Sequence, residues 1–277
     1  MCKFFISGLS LSYKVKSTKS LPSGPVLYAA FGLRKINSEC SIITTVSLQD
    51  KEEYLAYIRS HKLQEKNISF IERPQLTWTG EPIQGPLGYG LISDNPSLWF
   101  NYKGLSESKN SFLFLANNDP IHNLKLIDVI NPCFSTMDLY SQWIASRQEV
   151  LISLLKKVDV IFGTDKEFNL IPLPIFKNLI ENSNKILIIK KGKNGIEIHN
   201  NRKVIKLEAP TINQINCDIG AGDLLFGELS ACIASAYINK QNLFEQVTIA
   251  YENLKPKLNL LLNSSTPDEF LKKIQYD

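Results

Sequence analysis

Asp218-Ile219-Gly220-Ala221-Gly222-Asp223-Leu224 stands directly ahead of an apolar-periodic stretch, residues 225 to 238. It reads as a glycine-rich turn that opens a helix with a carboxylate at its mouth. Two glycines around an alanine let successive backbone N–H groups converge unobstructed, and the helix N-terminus adds partial positive charge, so the turn can cradle phosphate oxygens. A carboxylate beside such a cradle is electrostatically awkward unless it has a chemical role. Accepting a proton from a hydroxyl that attacks a phosphate is such a role. The alternative is an ordinary loop in which Asp223 serves as N-cap of the following helix. The heptapeptide alone favours the cap, and the surrounding chain reverses that preference.

Upstream, apolar runs of strand length alternate with longer stretches of helical period. Phe112-Leu113-Phe114-Leu115 and Ile127-Asp128-Val129-Ile130 read as strands, followed by residues 158–162 and 185–190. Helices are expected over residues 138–157 and 172–182. Strand, helix, strand, helix implies parallel strands with right-handed crossovers and hence a layered α/β sheet. The amino-terminal third differs in texture. Residues 70–103 mix glycines and prolines with Thr77-Trp78-Thr79, Gly88-Tyr89-Gly90-Leu91-Ile92 and Leu98-Trp99-Phe100, which predicts short antiparallel strands in a small β-rich flap. Thr266-Pro267-Asp268-Glu269 reads as the start of a closing helix.

The bulk properties exclude several classes. A chain of 277 residues, 44% hydrophobic and 21% charged, fits one large α/β domain or two small domains. Its net charge of +4, from 31 basic against 27 acidic side chains, is dispersed. No basic stripe interleaved with aromatics appears, so nucleic acid is not an expected partner. The five cysteines have no CxxC or Cys-His spacing, which argues against a disulfide framework or zinc site. No apolar run approaches the roughly 20 residues that span a bilayer, and a cytoplasmic protein without membrane contacts is expected. The histidines His61, His122 and His199 lack metal-ligand spacing.

Three upstream segments change the weight of the glycine turn. Lys190 leaves the end of a strand that a tight turn, Lys191-Gly192-Lys193-Asn194-Gly195, joins to the next. A cation at the carboxyl end of a parallel strand is well placed for nucleotide phosphates, although a plain hairpin with exposed lysines reads the same way. Thr164-Asp165-Lys166-Glu167 follows another strand and suits either hydrated Mg²⁺ or a helix cap. Pro22-Ser23-Gly24-Pro25-Val26-Leu27-Tyr28 is a turn followed by a helix of small residues.

Taken in order, these segments resemble the ribokinase-like, or PfkB-type, carbohydrate kinases. The resemblance rests on the early turn and helix at Gly24, the Thr164 to Glu167 segment, the strand with Lys190 before Gly192 and Gly195, and Cys217-Asp218-Ile219-Gly220-Ala221-Gly222-Asp223 with Gly227 behind it. It spans about residues 3 to 255. It implies a three-layer α/β sandwich with a mostly parallel sheet, a single domain over residues 1–277, and a small β-rich lid drawn from about residues 8–20 and 70–103. It implies an ATP-dependent kinase of a small sugar, cyclitol or nucleoside-like hydroxyl acceptor. Asp223 would be the general base, with Gly220, Ala221 and Gly222 as the anion hole. Glu167 and Thr164 would organise Mg²⁺. Lys190, Gly192, Gly195 and Asp218 would face the nucleotide, and Gly24 and Tyr28 the acceptor. Adenine would sit between the loop after Gly195 and the late helix around Ala250. A monovalent cation and dimerisation through the lid are left open.

Departures from the pattern fall mostly on the acceptor side. Tyr28 stands where sugar kinases carry asparagine, as in proteins similar to inositol kinases. The expected aspartate is missing from Leu9-Ser10-Leu11-Ser12-Tyr13. Val46-Ser47-Leu48-Gln49-Asp50 replaces a Gly-x-Asp segment, and the basic residue expected after Asn131-Pro132 is absent. At the transfer end, Thr164 replaces the asparagine of the N-x-x-E segment, and Cys217 stands where the signature has aspartate, with Asp218 shifted by one. These losses motivate a second reading, a catalytically silent protein that binds nucleotide or a partner. Retention of Asp223 favours the enzyme.

Overall fold

The computed structural model describes residues 3–14, 20–33, 40–75, 77–78, 95–105, 110–181, 184–200, 203–211, 215, 220–264 and 269. Continuous apolar runs such as Ser111-Phe112-Leu113-Phe114-Leu115 suit strands covered on both faces, and that is how they are used. The chain order is β1 (Lys3–Ser7), β2 (Leu11–Lys14), β3 (Ser20–Ser23), α1 (Pro25–Leu33), β4 (Ser41–Ser47), α2 (Lys51–Ser60), β5 (Ile68–Ile71) and β6 (Thr77–Trp78). There follow β7 (Ser111–Leu115), α3 (Pro120–Ile130), β8 (Phe134–Asp138), α4 (Ser141–Ser146), α5 (Gln148–Lys157), β9 (Val160–Thr164), α6 (Asp165–Leu170) and α7 (Leu173–Glu181). The chain continues through β10 (Ile186–Lys190), β11 (Ile196–Asn200), β12 (Lys203–Leu207), α8 (Ala221–Ile238) and α9 (Leu243–Asn263).

Nine strands form one sheet in the order β12-β11-β10-β9-β8-β7-β1-β4-β5. It is parallel from β10 to β5, and β11 and β12 add an antiparallel margin. One face packs on α1, α2, α8 and α9, the other on α3 to α7. Side chains alternate between these cores as the pleat requires. Val160 and Phe162 of β9, and Ile186 and Ile188 of β10, face the layer of α1, α2, α8 and α9; Ile161, Leu187 and Ile189 face the other layer. The three-layer α/β sandwich and its mostly parallel sheet are thus as expected. β3, β2 and β6 form a separate small sheet.

Helix α8 is apolar nearly all round and matches a bilayer span in length, but it is a core helix held between α1, α9 and the sheet. Its approach to α1 is made by two glycines. A Cβ on Gly227 would stand 2.1 Å from the Ala29 carbonyl, and one on Gly32 would stand 2.4 Å from the Glu228 nitrogen. Thr136 of β8 adds a 2.9 Å hydrogen bond to Ser230, which ties α8 to the middle of the sheet. Buried Glu228 pairs with Lys257 of α9.

Several elements depart from the sequence reading. Ile127 to Ile130 are the last turn of α3, not a strand. That helix starts with Asp119 accepting from the Ile121 N–H at 2.9 Å and with Pro120 at its first turn, and it ends at Asn131 with a left-handed φ of 48°. The strand lies later, at β8, so Asp138 closes a strand instead of opening a helix. The expected helix over 138–157 is two helices, α4 and α5. Leu98-Trp99-Phe100 is not a strand; residues Pro96–Trp99 form a 3-10 turn capped by Asn95. Thr77–Trp78 does pair, but parallel to β2. Gly88 to Ile92 and Thr266 to Asp268 lie outside the described residues.

Candidate active site

The site assembles where β8, β9 and β10 end side by side beneath the N-terminus of α8. Asp138, Thr164 and Lys190 have the same strand parity as Phe134, Phe162 and Ile188, residues that face α8. The pleat therefore turns the last side chain of each of these three strands toward that helix. Lys190 and Thr164 are register partners across β10 and β9. Lys190 reaches past the end of β9 to Asp138, with Nζ 2.7 and 2.8 Å from the two carboxylate oxygens. Sequence reasoning missed Asp138. It becomes visible once β8 is placed, as an acid closing the strand next to β9, whose end carries Thr164.

Gly220, not Asp223, is the N-cap of α8. It holds φ 78° and ψ −3°, with no side-chain capping bond. That left-handed conformation suits glycine. A Cβ there would also strike the Tyr28 ring at 2.6 Å. Ala221, Gly222 and Asp223 form the first turn, whose N–H groups have no acceptors within the helix and can receive an anion. The position of Gly222 matters because a Cβ on it would lie 3.6 Å from Lys190 Nζ. The ammonium therefore sits directly against this first turn. Asp223 is partly exposed, in the third helical position, so the cap reading of this residue is displaced.

Thr164 and Glu167 form a complete capping box on α6. The Thr164 N–H and hydroxyl donate to one Glu167 oxygen at 2.7 and 2.9 Å, and the Glu167 N–H donates back at 3.2 Å. The cap is real local structure, yet it also fixes a buried carboxylate beside the Asp138–Lys190 pair.

The charges act on one another strongly. Burial, then the Asp138 and Glu167 carboxylates, push the Asp223 carboxyl up to about 7 against the pull of Lys190. Burial also pushes Asp138 up to about 6, with Lys190 opposing and Glu167 assisting. For Lys190, burial works against the charge, but Asp138, Glu167 and Asp223 outweigh it and hold the pKa above its ordinary value. Among the described residues the cluster is thus one cation beside three carboxyl groups, with negative charge in excess when all three are ionised.

Gly192 and Gly195 shape the turn from β10 to β11, with φ of 56° and 85°. Gly195 also lies so close to Leu207 that a Cβ would stand 1.9 Å from its carbonyl oxygen. Asp218 lies outside the described residues. On the other side of α8, Gly24 has φ 114° and precedes α1, while Tyr28 is buried with its hydroxyl 3.4 Å from Ser23 Oγ. At the ends of β1 and β4 sits another residue missed from the sequence. Gln75 accepts from the Ser47 N–H at 2.8 Å and donates to the Ser10 carbonyl, so a neutral amide joins segments where acids were expected.

No family model and no curated protein matches the chain. Solved structures do. The Methanocaldococcus jannaschii nucleoside kinase, an archaeal member of the ribokinase family, is 16% identical, with 99% of this chain and 98% of that one covered and a TM-score of 0.68. The Vibrio cholerae fructokinase bound to fructose, ADP and calcium is 11% identical, with 99% and 98% covered and a TM-score of 0.74. The Burkholderia thailandensis nucleoside kinase in complex with inosine is 13% identical, with 99% and 98% covered and a TM-score of 0.69. Over almost its whole length, this chain is therefore built on the ribokinase-like fold.

Proposed function

We propose that this protein is an ATP-dependent kinase that transfers the γ-phosphoryl group to a hydroxyl of a small sugar, cyclitol or nucleoside-like acceptor. The observation that carries this reading is the meeting of Asp223 and the open first turn of α8 with Lys190. A base, an anion cradle and a cation come together at the carboxyl ends of parallel strands, where such sheets bind ligands. Asp223 accepts the acceptor's proton as its oxygen bonds to phosphorus and the bond from phosphorus to the β–γ bridging oxygen breaks. The N–H groups of the first turn stabilise charge on the transferring phosphoryl oxygens, the step where preorganised donors act most strongly. The three-stranded sheet is the lid, and Gly24 and Tyr28 belong to the acceptor side.

Among the described residues no group of three or more His, Cys, Asp or Glu side chains could cage a metal. That fits Mg²⁺ carried mainly by phosphates and water, which needs few carboxylates. Glu167, with Thr164 fixing its orientation, would hold part of that water shell, and the ion would supply the positive charge that the cluster lacks. Gly192 and Gly195 are assigned to the nucleotide side, and Asp218, outside the described residues, keeps that assignment from the sequence alone. The neighbours support this breadth of acceptor, since one is solved with fructose and ADP and another with inosine.

The test is ATP consumption with Mg²⁺ across sugars, inositols and nucleosides, run beside Asp223→Asn. Turnover with one acceptor class should fall by about a hundredfold or more in the variant, the weight of a positioned base, while ATP binding persists. Undiminished turnover in Asp223→Asn would remove the assigned base. A null screen with ATP bound would leave the silent, nucleotide-binding reading.

A further inference from the structure

Asp138 has no task in the transfer chemistry just described, yet it makes the shortest charged contacts in the site. Its side chain is 5% exposed and that of Lys190 is 15% exposed, with both carboxylate oxygens engaged by one ammonium. Lysine is a flexible point charge with a four-carbon stem, and from the end of β10 it could point in many directions. The contact with Asp138 selects the one that places Nζ against Gly222. The strand order makes this geometric, because β8 and β10 flank β9 and the side chain must cross the end of β9 to make the pair.

The geometry points to Asp138 as a positioning residue that clamps Lys190 beneath the first turn of α8, so that an incoming nucleotide phosphate must share the ammonium with a carboxylate. This rests on the kinase reading and deepens it. The clamp has two opposed effects. It weakens nucleotide binding, because phosphate competes with Asp138 for the same donors and meets one more negative charge. It speeds transfer, because the cation is held in place when charge shifts. Glu167 on α6 and Asp223 on α8 also face the pair. Tyr140, just past β8, senses Glu167. A Lys190 released from Asp138 would therefore wander among these carboxylates and the phosphates.

The experiment is titration calorimetry with MgADP together with steady-state kinetics on the unaltered protein, Asp138→Asn, Lys190→Met and the double variant. Asp138→Asn should bind MgADP about tenfold more tightly, the worth of one charge-assisted hydrogen bond, while kcat falls by about tenfold or more from misplacement. The tightening should shrink severalfold in the Lys190→Met background, since Asp138 acts mainly through the lysine. Asp138→Glu keeps the charge, displaces the ammonium and provides a test if the asparagine variant does not fold. Its MgADP affinity should stay within about twofold while kcat falls.

Affinity and rate falling together would mark Asp138 as merely structural and overturn the proposal. A tightening that persists undiminished without Lys190 would also overturn it. If the unaltered protein binds no nucleotide, the kinase reading fails and this inference with it; normal binding with affinity unmoved by Asp138→Asn removes the inference alone.

Discussion

Asp223→Asn should make the protein more stable at alkaline pH in the same stroke that it stops phosphoryl transfer. Burial and the neighbouring Asp138 and Glu167 carboxylates raise this carboxyl from 3.8 to about 7 against the pull of Lys190. A raised folded-state pKa means that the folded protein holds the proton more tightly than the unfolded chain does. The stability this provides is fully present below about pH 4 and is lost as pH rises through about 7. At roughly 1.36 kcal/mol per decade, a displacement of about three decades is worth about 4 kcal/mol. Asp223 is partly exposed, and solvent screening reduces this to about 2 kcal/mol. Asparagine has the same shape and no charge to desolvate. At pH 8 the variant should therefore melt about 4 °C higher than the unaltered protein, at the lower end of the usual conversion for a large domain. The advantage should shrink below pH 7 and vanish near pH 4. Thermal melts of both proteins across this range measure it. A difference independent of pH, or a lower melting temperature for the variant at pH 8, would refute the reasoning. With Asp223 as the proposed base, the same titration in the unaltered protein should make kcat/KM rise through about pH 7, because only the ionised carboxylate accepts a proton.

Three other substitutions probe backbone packing and a buried hydrogen bond. Gly227→Ala places a Cβ 2.1 Å from the Ala29 carbonyl, a backbone atom that cannot swing aside, and should cost about 3 kcal/mol or more by forcing α1 and α8 apart. Gly192→Ala meets open space and strains only φ, so it should cost about 1 kcal/mol; equal losses in denaturant unfolding would contradict the packing account. Tyr102→Phe removes a 2.6 Å hydrogen bond to His122, which also bonds Ser7. Burial, aided by the nearby Lys125 charge, lowers the His122 pKa to about 3, so the loss of about 1 kcal/mol should be the same at pH 6 and pH 8. A marked pH dependence would show that the ring titrates there.

What could be read from the chain divides along a physical line. β7, β10 and the turn into α1 were legible because apolar runs and glycine turns announce them. β8 was not, since Phe134-Ser135-Thr136-Met137-Asp138 carries two small polar residues in a buried strand. Thr136 is satisfied by Ser230 of α8, a partner far away in the chain that no local pattern reveals. The apolar run Ile127 to Ile130 drew the strand assignment instead, although Asp119-Pro120 ahead of it is a helix-start signal. Asp138 was missed for that reason alone. Once β8 is placed, parity puts it on the same face as Thr164 and Lys190 without further information.

The two ends of the site differ in how firmly the fold dictates them. The proposed transfer end is written into the sheet: strand parity aims Asp138, Thr164 and Lys190, and glycine-to-backbone contact with α1 sets α8 above them. The proposed acceptor end is made by segments between strands, with Ser10, Ser47 and Gln75 linked through backbone groups, and such segments can change their side chains without disturbing the core. Tyr28 joins the two. Its ring lies against Gly220, close enough that even a methyl group there would collide at 2.6 Å. The residue that stands in for the expected asparagine therefore also supports the backbone of the proposed anion cradle. A change at position 28 made to alter the acceptor would reach the first turn of α8 as well, so at this position acceptor choice and transfer rate are not independent variables.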